Sequence, residues 1–284
     1  YFENQSGDSS LNWMQKGIME ACDVDLDQES YITNSVFWWN DFRDKYKYGE
    51  NVRFASYLEK AKHTNTQYIL EGSFTQEKET YILNCNLVDV KTARSMSKKT
   101  FKGDNFFSLI DSISHHTKIT LLSNYDIEKT IDLPISSQLT NSLPAYKYYI
   151  LANEVYYNDD SPTKKLNLYH KAIELDPRFA QAYRACIWEY NSQNKLDSVN
   201  LYWNKVMDNL ENYPEKERYA IKYDYLEHTK KYEQAFDLLQ SWVAFYPEEI
   251  SPHSFLAWHY VEKGMYQKAI DEYKKCISID SLDD

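Results

Sequence analysis

Apolar residues recur at helical spacing early in the chain: Leu11, Met14, Ile18, Ala21, Cys22 and Leu26 lie three or four apart and predict a helix from about Leu11 to Leu26. Ahead of it, Tyr1 to Ser10 reads as the end of a strand and a polar turn. Gly7 permits the reversal, and Asp8 with its neighbouring serines offers oxygens to the free amides of the helix. Tyr31 to Val36 is a short strand candidate, Phe37 to Gly49 an aromatic and charged loop, and Val52 to His63 a second helix. From Gln67 the period falls to two. Tyr68 to Phe74, Glu79 to Asp89 and Ala93 to Phe101 predict three strands separated by polar turns at Gln76 to Lys78 and Val90 to Thr92, a meander of hairpins. In the second of these strands Tyr81, Leu83, Cys85 and Leu87 share one face, while Thr80, Ile82, Asn84 and Asn86 share a mostly polar one, so one side of the sheet is expected to be solvated. A helix from Phe106 to about Leu122 carries Phe107, Ile110, Ile113 and Ile119 towards the covered side. The order strand, helix, strand, helix, three strands, helix predicts an α+β domain, a mixed sheet with packed helices, over residues 1–123.

After a linker at 124–143 that carries Pro134, one pattern recurs four times over 144–284. Lys165, Val199, Ala235 and Ala269 are equivalent, as are Ala172, Val206, Trp242 and Cys276, giving spacings of 34, 36 and 34 residues. A fixed period of that size marks a solenoid whose units, about 145–179, 180–215, 216–249 and 250–284, bury their apolar faces on one another. The fourth unit is clearest. Small residues Ala257 and Ala269 sit where two helices must approach, Gly264 supplies the turn, and Tyr260, Tyr266 and Tyr273 fill the space around them. This pattern resembles the tetratricopeptide repeat, and the first unit closes as that family does, with Ala172-Ile-Glu-Leu-Asp176-Pro177; Pro247 closes the third. The second unit departs from it with Val199 and a longer tail to Pro214, the first with Lys165 and Pro162. The resemblance implies an all-α tetratricopeptide-repeat solenoid behind the α+β domain.

The first domain is similar to a second family. Phe2, Asn4, Ser6-Gly7-Asp8, Trp13, Gly17-Ile18 and Glu20, then Tyr68, Leu70-Glu71-Gly72-Ser73, Leu87-Val88-Asp89 and Phe107, Leu109, Asp111 and Ile113 resemble the TolB amino-terminal-type domain found beside tetratricopeptide repeats in bacterial signalling proteins. Lys91-Thr92-Ala93 replaces that family's threonine-glycine turn. The resemblance implies a sensory or assembly module that follows a kinase, an adenylate cyclase or a winged-helix domain, often with a membrane helix upstream, on the periplasmic or cytoplasmic side. The chain opens on Tyr1 rather than methionine, and its fourth unit reaches Asp284 without the polar capping helix that terminal repeats need, which predicts further residues on both sides.

Charge narrows the partners. A net charge of -11 and a pI near 5.2 leave no basic footprint of the kind nucleic acid or an anionic membrane requires. No apolar run approaches the ~20 residues that span a bilayer. The four cysteines, Cys22, Cys85, Cys186 and Cys276, lie far apart and read as buried free thiols rather than disulfides or a zinc site.

Catalysis and cofactors find little support. None of the six glycines lies in a G-x-G or G-K-S/T arrangement, so the phosphate cradle is missing. Asp23-Val-Asp25-Leu-Asp27 imitates a calcium loop, yet Gln28 stands where glycine is required and Asn34 where a bidentate glutamate is; a solvated helix end is the expectation. His115 and His116 are adjacent and point about 100° apart on a helix, too far to clamp one metal. No catalytic residue, cofactor or metal is assigned. The repeat register instead places Glu154, Tyr157, Arg184, Trp188, Asp224, Glu227, His228, Trp258 and Glu262 on the face that such arrays offer to ligands. Acids and aromatics dominate there, which predicts a basic or amphipathic protein segment as partner, gripped by Trp188 and Trp258. Two other readings stay open: the 26 tyrosines and both tryptophans could serve helix packing, and the chain could be a small-ligand-sensing regulatory part of a larger enzyme or transcriptional regulator.

Overall fold

The computed structural model describes residues 1–29, 32, 54–64, 66–123, 133–158, 162–213 and 215–280, and these form two compact units, Tyr1–Tyr202 and Trp203–Asp284. The expected strand at Tyr31 to Val36 and the loop at Phe37 to Gly49 lie outside the described residues, Ile32 excepted.

In the first unit a mixed sheet runs in the order β1 (Phe2–Asn4), β2 (Tyr68–Glu77), β3 (Thr80–Asp89) and β4 (Arg94–Gly103). β1 joins β2 in parallel, and the other neighbours are antiparallel hairpins. The hairpin at Lys91-Thr92-Ala93 needs no glycine. The Asp89 carboxylate accepts both the amide and the hydroxyl of Thr92 at 2.6 Å, and Ala93 takes the left-handed conformation itself, at φ 55.

Alternation along the strands sorts the two faces as the period of two predicts. Phe74, Leu83, Cys85 and Phe101 point inward onto α1 (Trp13–Leu26) and onto α3 (Phe106–Leu121), where Met14, Ile18, Ile110 and Ile113 complete the core. Asn105 caps the start of α3, its side-chain oxygen accepting the Ser108 amide at 3.0 Å. Ile119 does not share the covered side as expected: it is 44 % exposed. Four residues after Ile113, the inward place belongs to Thr117, which can be buried because its hydroxyl donates to the Ile113 carbonyl at 2.9 Å. The opposite side of the sheet is polar over most of its area. At one end α2 (Phe54–His63) covers it, setting Tyr57 and Ala61 on Ile69 and Val88.

A short turn of helix, α4 (Ile135–Gln138), is tied to α3 by its Ile135 amide, which donates to the Asp111 carboxylate at 2.8 Å. Then come α5 (Leu143–Asn158), α6 (Pro162–Leu175), α7 (Ala180–Ser192) and α8 (Leu196–Asp208). α5 packs on α1: the buried Tyr146 hydroxyl donates to the Gly17 carbonyl at 2.7 Å, and its ring meets Trp13, Phe106 and Phe107. A Cβ on Gly17 would lie 3.0 Å from the Trp13 ring of the same helix and 3.5 Å from the Tyr146 ring, so a larger residue there would push the Trp13 ring aside.

The second unit holds α9 (Glu215–His228), α10 (Tyr232–Phe245), α11 (Ile250–Glu262) and α12 (Tyr266–Asp280). One backbone device closes three of the hairpins. Asn194, Lys230 and Gly264, each five residues before its aligned position, sit at φ 55, 58 and 69. After each, an amide reaches five residues back: Lys195 to Tyr190 and Lys231 to Leu226 at 2.9 Å, Met265 to Tyr260 at 2.8 Å. This is the Schellman closure, which satisfies carbonyls the helix end would leave open. The aligned positions Lys165, Val199, Ala235 and Ala269 are all buried, as are Ala172, Val206 and Trp242. Cys276 departs from the expected burial and is only half-covered, whereas Cys22, Cys85 and Cys186 are buried free thiols. His253 locks the last hairpin, its Nδ1 2.5 Å from Glu272 and its Nε2 2.9 Å from the Pro247 carbonyl.

Two outcomes follow from this packing. A Cβ at Gly72, in the middle of β2, would lie 2.0 Å from the Asn84 carbonyl oxygen and 2.7 Å from the Phe2 ring. Gly72→Ala should therefore cost about 3 kcal/mol or more, the upper end of overpacking, read from the urea midpoint. The Asp23 carboxyl is pushed up to about 6 by burial, then by Asp27 and Glu20. The folded chain keeps that proton where the unfolded chain has lost it, so stability falls as pH rises from the ordinary aspartate range through about 6. Asp23→Asn should raise the Tm at pH 7, and the two melting curves should converge near the ordinary aspartate range.

Candidate functional site

The nine residues expected on the ligand face are placed differently from one another. Glu154 on α5 is buried, with its carboxylate 3.4 Å from Lys16 Nζ. Because α5 is covered by α1, that position joins two elements of the fold and is not open to a ligand. The Tyr157 side chain lies outside the described residues. Arg184 is half-buried, and Trp188, one turn further along α7, is 74 % exposed.

The remaining five lie in the second unit, on α9 and α11. His228 stacks on Trp203 with ring centres 5.9 Å apart. Asp224 and Glu227 are half-buried, Glu262 is exposed, and Trp258 is 45 % exposed. Glu227 and Trp258 meet at His259, which sequence reasoning passed over. Its ring is buried, with the Trp258 indole edge-on at 4.9 Å, the Tyr223 hydroxyl at 3.3 Å and Glu227 Oε1 at 3.5 Å from Nε2. Phe236 of α10 closes the other side at 6.0 Å. Tyr223 is in turn stacked on Phe255 at 4.7 Å, so aromatic contacts fix how α9 meets α11.

Electrostatics give the cluster a negative, partly desolvated character. Burial lowers the His259 imidazole below its ordinary range, and Lys263 adds to this. The Glu227 carboxyl is raised by burial and by the charge of Asp224. Glu262 and Glu233 act on the same histidine. Lys263 folds back over the Phe236 ring at 3.9 Å. The result is a half-exposed indole set edge-on against a buried histidine that also meets Glu227, with Lys263 over the neighbouring Phe236 ring. Such an arrangement can hold the aliphatic stem and cationic head of a lysine or arginine side chain.

A second aromatic cluster in the first unit was also missed. His170 Nε2 sits 2.9 Å from the Tyr202 hydroxyl and 3.1 Å from that of Tyr190, and the rings of Tyr190 and Tyr202 lie 5.2 Å apart. The residues are on three helices, so only the period could have hinted at their meeting. His116, expected to serve packing or surface, accepts or donates one bond with Ser97 Oγ at 2.7 Å and lies edge-on to Phe101. Among the described residues no group of histidine, cysteine and carboxylate side chains could hold a metal ion, and no helix is long and apolar enough to cross a membrane.

No family model matches the chain, and no curated protein does. It is similar to solved structures of repeat proteins: a MamA double mutant at 15 % identity, over 64 % of this chain and 98 % of that one, TM-score 0.37; YrrB, described as a TPR protein with an unusual peptide-binding site, at 18 % identity, over 48 % and 69 %, TM-score 0.36; and MamA from Desulfovibrio magneticus RS-1 at 15 % identity, over 64 % and 99 %, TM-score 0.38. At these identities and TM-scores the likenesses carry no functional argument, and the residues themselves must.

The exposed tryptophans can be told apart from packed ones by truncation. Trp258→Ala and Trp188→Ala should each change unfolding free energy by about 1 kcal/mol or less, as surface changes do. Trp242→Ala, which removes a ring 3 % exposed and its 3.0 Å bond to Glu249, should cost ~3–5 kcal/mol by the same chemical-denaturation assay.

Proposed function

We propose that this chain is a non-catalytic protein-interaction module that captures a basic or amphipathic segment of another protein on the α9 and α11 face of its second unit. The observation that carries the reading is the Trp258 indole, left half in solvent although its edge is fixed on His259, with Glu227, Asp224 and Glu262 acting on the same small region. An aromatic ring that costs little conformational entropy on contact, beside a histidine on which Glu227 and Glu262 act, suits a cationic side chain with an apolar stem. Trp188, further exposed on α7, would offer a separate anchor in the first unit.

The proposal extends to context: a regulatory part of a bacterial signal-transduction protein, with a TolB-type domain ahead of the repeats. The residues behind that resemblance serve the first turn and the sheet. Asn4 Oδ1 accepts the Ser6 amide at 3.0 Å and the Ser6 hydroxyl at 2.6 Å, and its amide donates to Asn12, which shapes the turn into α1. Gly72 is opposite Phe2 in the parallel pair.

Titrating the 284-residue protein with a panel of lysine- and arginine-rich amphipathic peptides, followed by tryptophan fluorescence, tests the reading. Binding should weaken about tenfold in Trp258→Ala, equivalent to ~1.4 kcal/mol, with acidic versions of the peptides silent. Glu227→Gln together with Glu262→Gln should flatten the salt dependence. Equal affinity in Trp258→Ala, or no response to any peptide, would sink it.

A further inference from the structure

The sheet carries a second surface of opposite character. Between Lys91 and Lys102 the chain has five cations, Lys91, Arg94, Lys98, Lys99 and Lys102, and no acid, within a protein of net charge -11. Most of that run is β4, ten residues long, at the end of the strand order, with no further strand beside it among the described residues. All five cations are exposed. Lys98 and Lys102 pair across from Asn86 and Ile82 on the polar side of the sheet, while Lys99 pairs across from Cys85 and leans over the Phe101 ring at 5.2 Å, on the other side. Positive charge therefore flanks the edge above and below.

Beyond a bulge at Met96, which separates Ser97 opposite Leu87 from Ser95 opposite Val88, side-chain bonds tie the strand to its neighbours. Thr100 donates to Asn84 at 2.7 Å, Ser95 to Asn86 at 2.6 Å, and Asn86 to Glu71 at 2.7 Å, a ladder of side-chain bonds that runs across three strands. Lysines on an edge strand commonly deter pairing between like edges. That repulsion acts only against another positive strand, and the same charges favour a negative one.

We infer that the free edge of β4 docks an extended acidic segment of a partner protein, which adds a fifth strand to the sheet by main-chain hydrogen bonds. Carboxylates at alternate positions of the added strand meet Lys98 and Lys102 on one side. A nucleic acid is disfavoured on the same surface: the polar side offers Ser73, Asn84 and Thr100 rather than rings on which bases could stack, and the Glu71 carboxylate would face the phosphates.

The test is fluorescence anisotropy of the full chain with three labelled ten-residue probes: a peptide alternating glutamate with threonine, the same peptide with two threonines replaced by proline, and a single-stranded oligonucleotide. The alternating peptide should bind, and proline should weaken it more than tenfold, because it removes backbone donors while leaving charge unchanged. Lys98→Glu with Lys102→Glu, both exposed and so neutral to folding by circular dichroism, should weaken it by a similar factor. Failure of the alternating peptide to bind overturns the inference. So does equal binding of the proline version, which would make the attraction charge alone, or tighter binding of the oligonucleotide with displacement of the peptide. The probes and variants touch none of the α9 or α11 residues, so this result and that for the basic peptides fail or succeed separately.

Discussion

The burial of Tyr146 decides how the first unit is built. Its ring fills the space between Trp13, Phe106 and Phe107, and its hydroxyl, donated to the Gly17 carbonyl, avoids the cost of a buried polar group without a partner. One side chain thus makes α5 part of the same core as α1, α3 and the sheet. The compact unit extends through Tyr202. Glu154 is drawn into the same contact and paired with Lys16, which removes it from any ligand face.

Further along, regularity comes from the turns as much as from the helices. Three hairpins end in a left-handed residue at the same register, only one of them glycine, and each is followed by the same long-reach amide bond. Placing Asn194 and Lys230 there costs on the order of 1 kcal/mol each relative to glycine. The closure and the burial of the small or aliphatic residue five positions later offset that cost. His253 adds a buried polar clasp to the last hairpin.

The two candidate surfaces use opposite charge through different backbone geometry. On α9 and α11, carboxylates and an indole stand on helices whose backbone is already satisfied, so recognition there depends on side chains. On β4, which has no further strand beside it among the described residues, the backbone of the edge would itself be the recognition element, with the lysines selecting what can approach it. An acidic chain overall can therefore present one surface to a basic segment and another to an acidic one.

Periodicity alone made much of this legible. The change from spacing of three and four to spacing of two located the sheet, and the 34-residue recurrence identified Ala235, Ala269 and Trp242 as packed positions before any contact was known. Local chemistry likewise pointed to Gly264 as a turn residue. What could not be read were meetings between helices. His259, His170 and Tyr202 owe their roles to neighbours on other elements, and Trp258 and Trp242, similar as residue types, differ only in whether another helix covers them. Sequence period fixes which side of a helix is apolar, a local property of the chain. Which apolar side finds a partner within the fold, and which stays in solvent, is set by how the elements pack, and only the tertiary structure decides it.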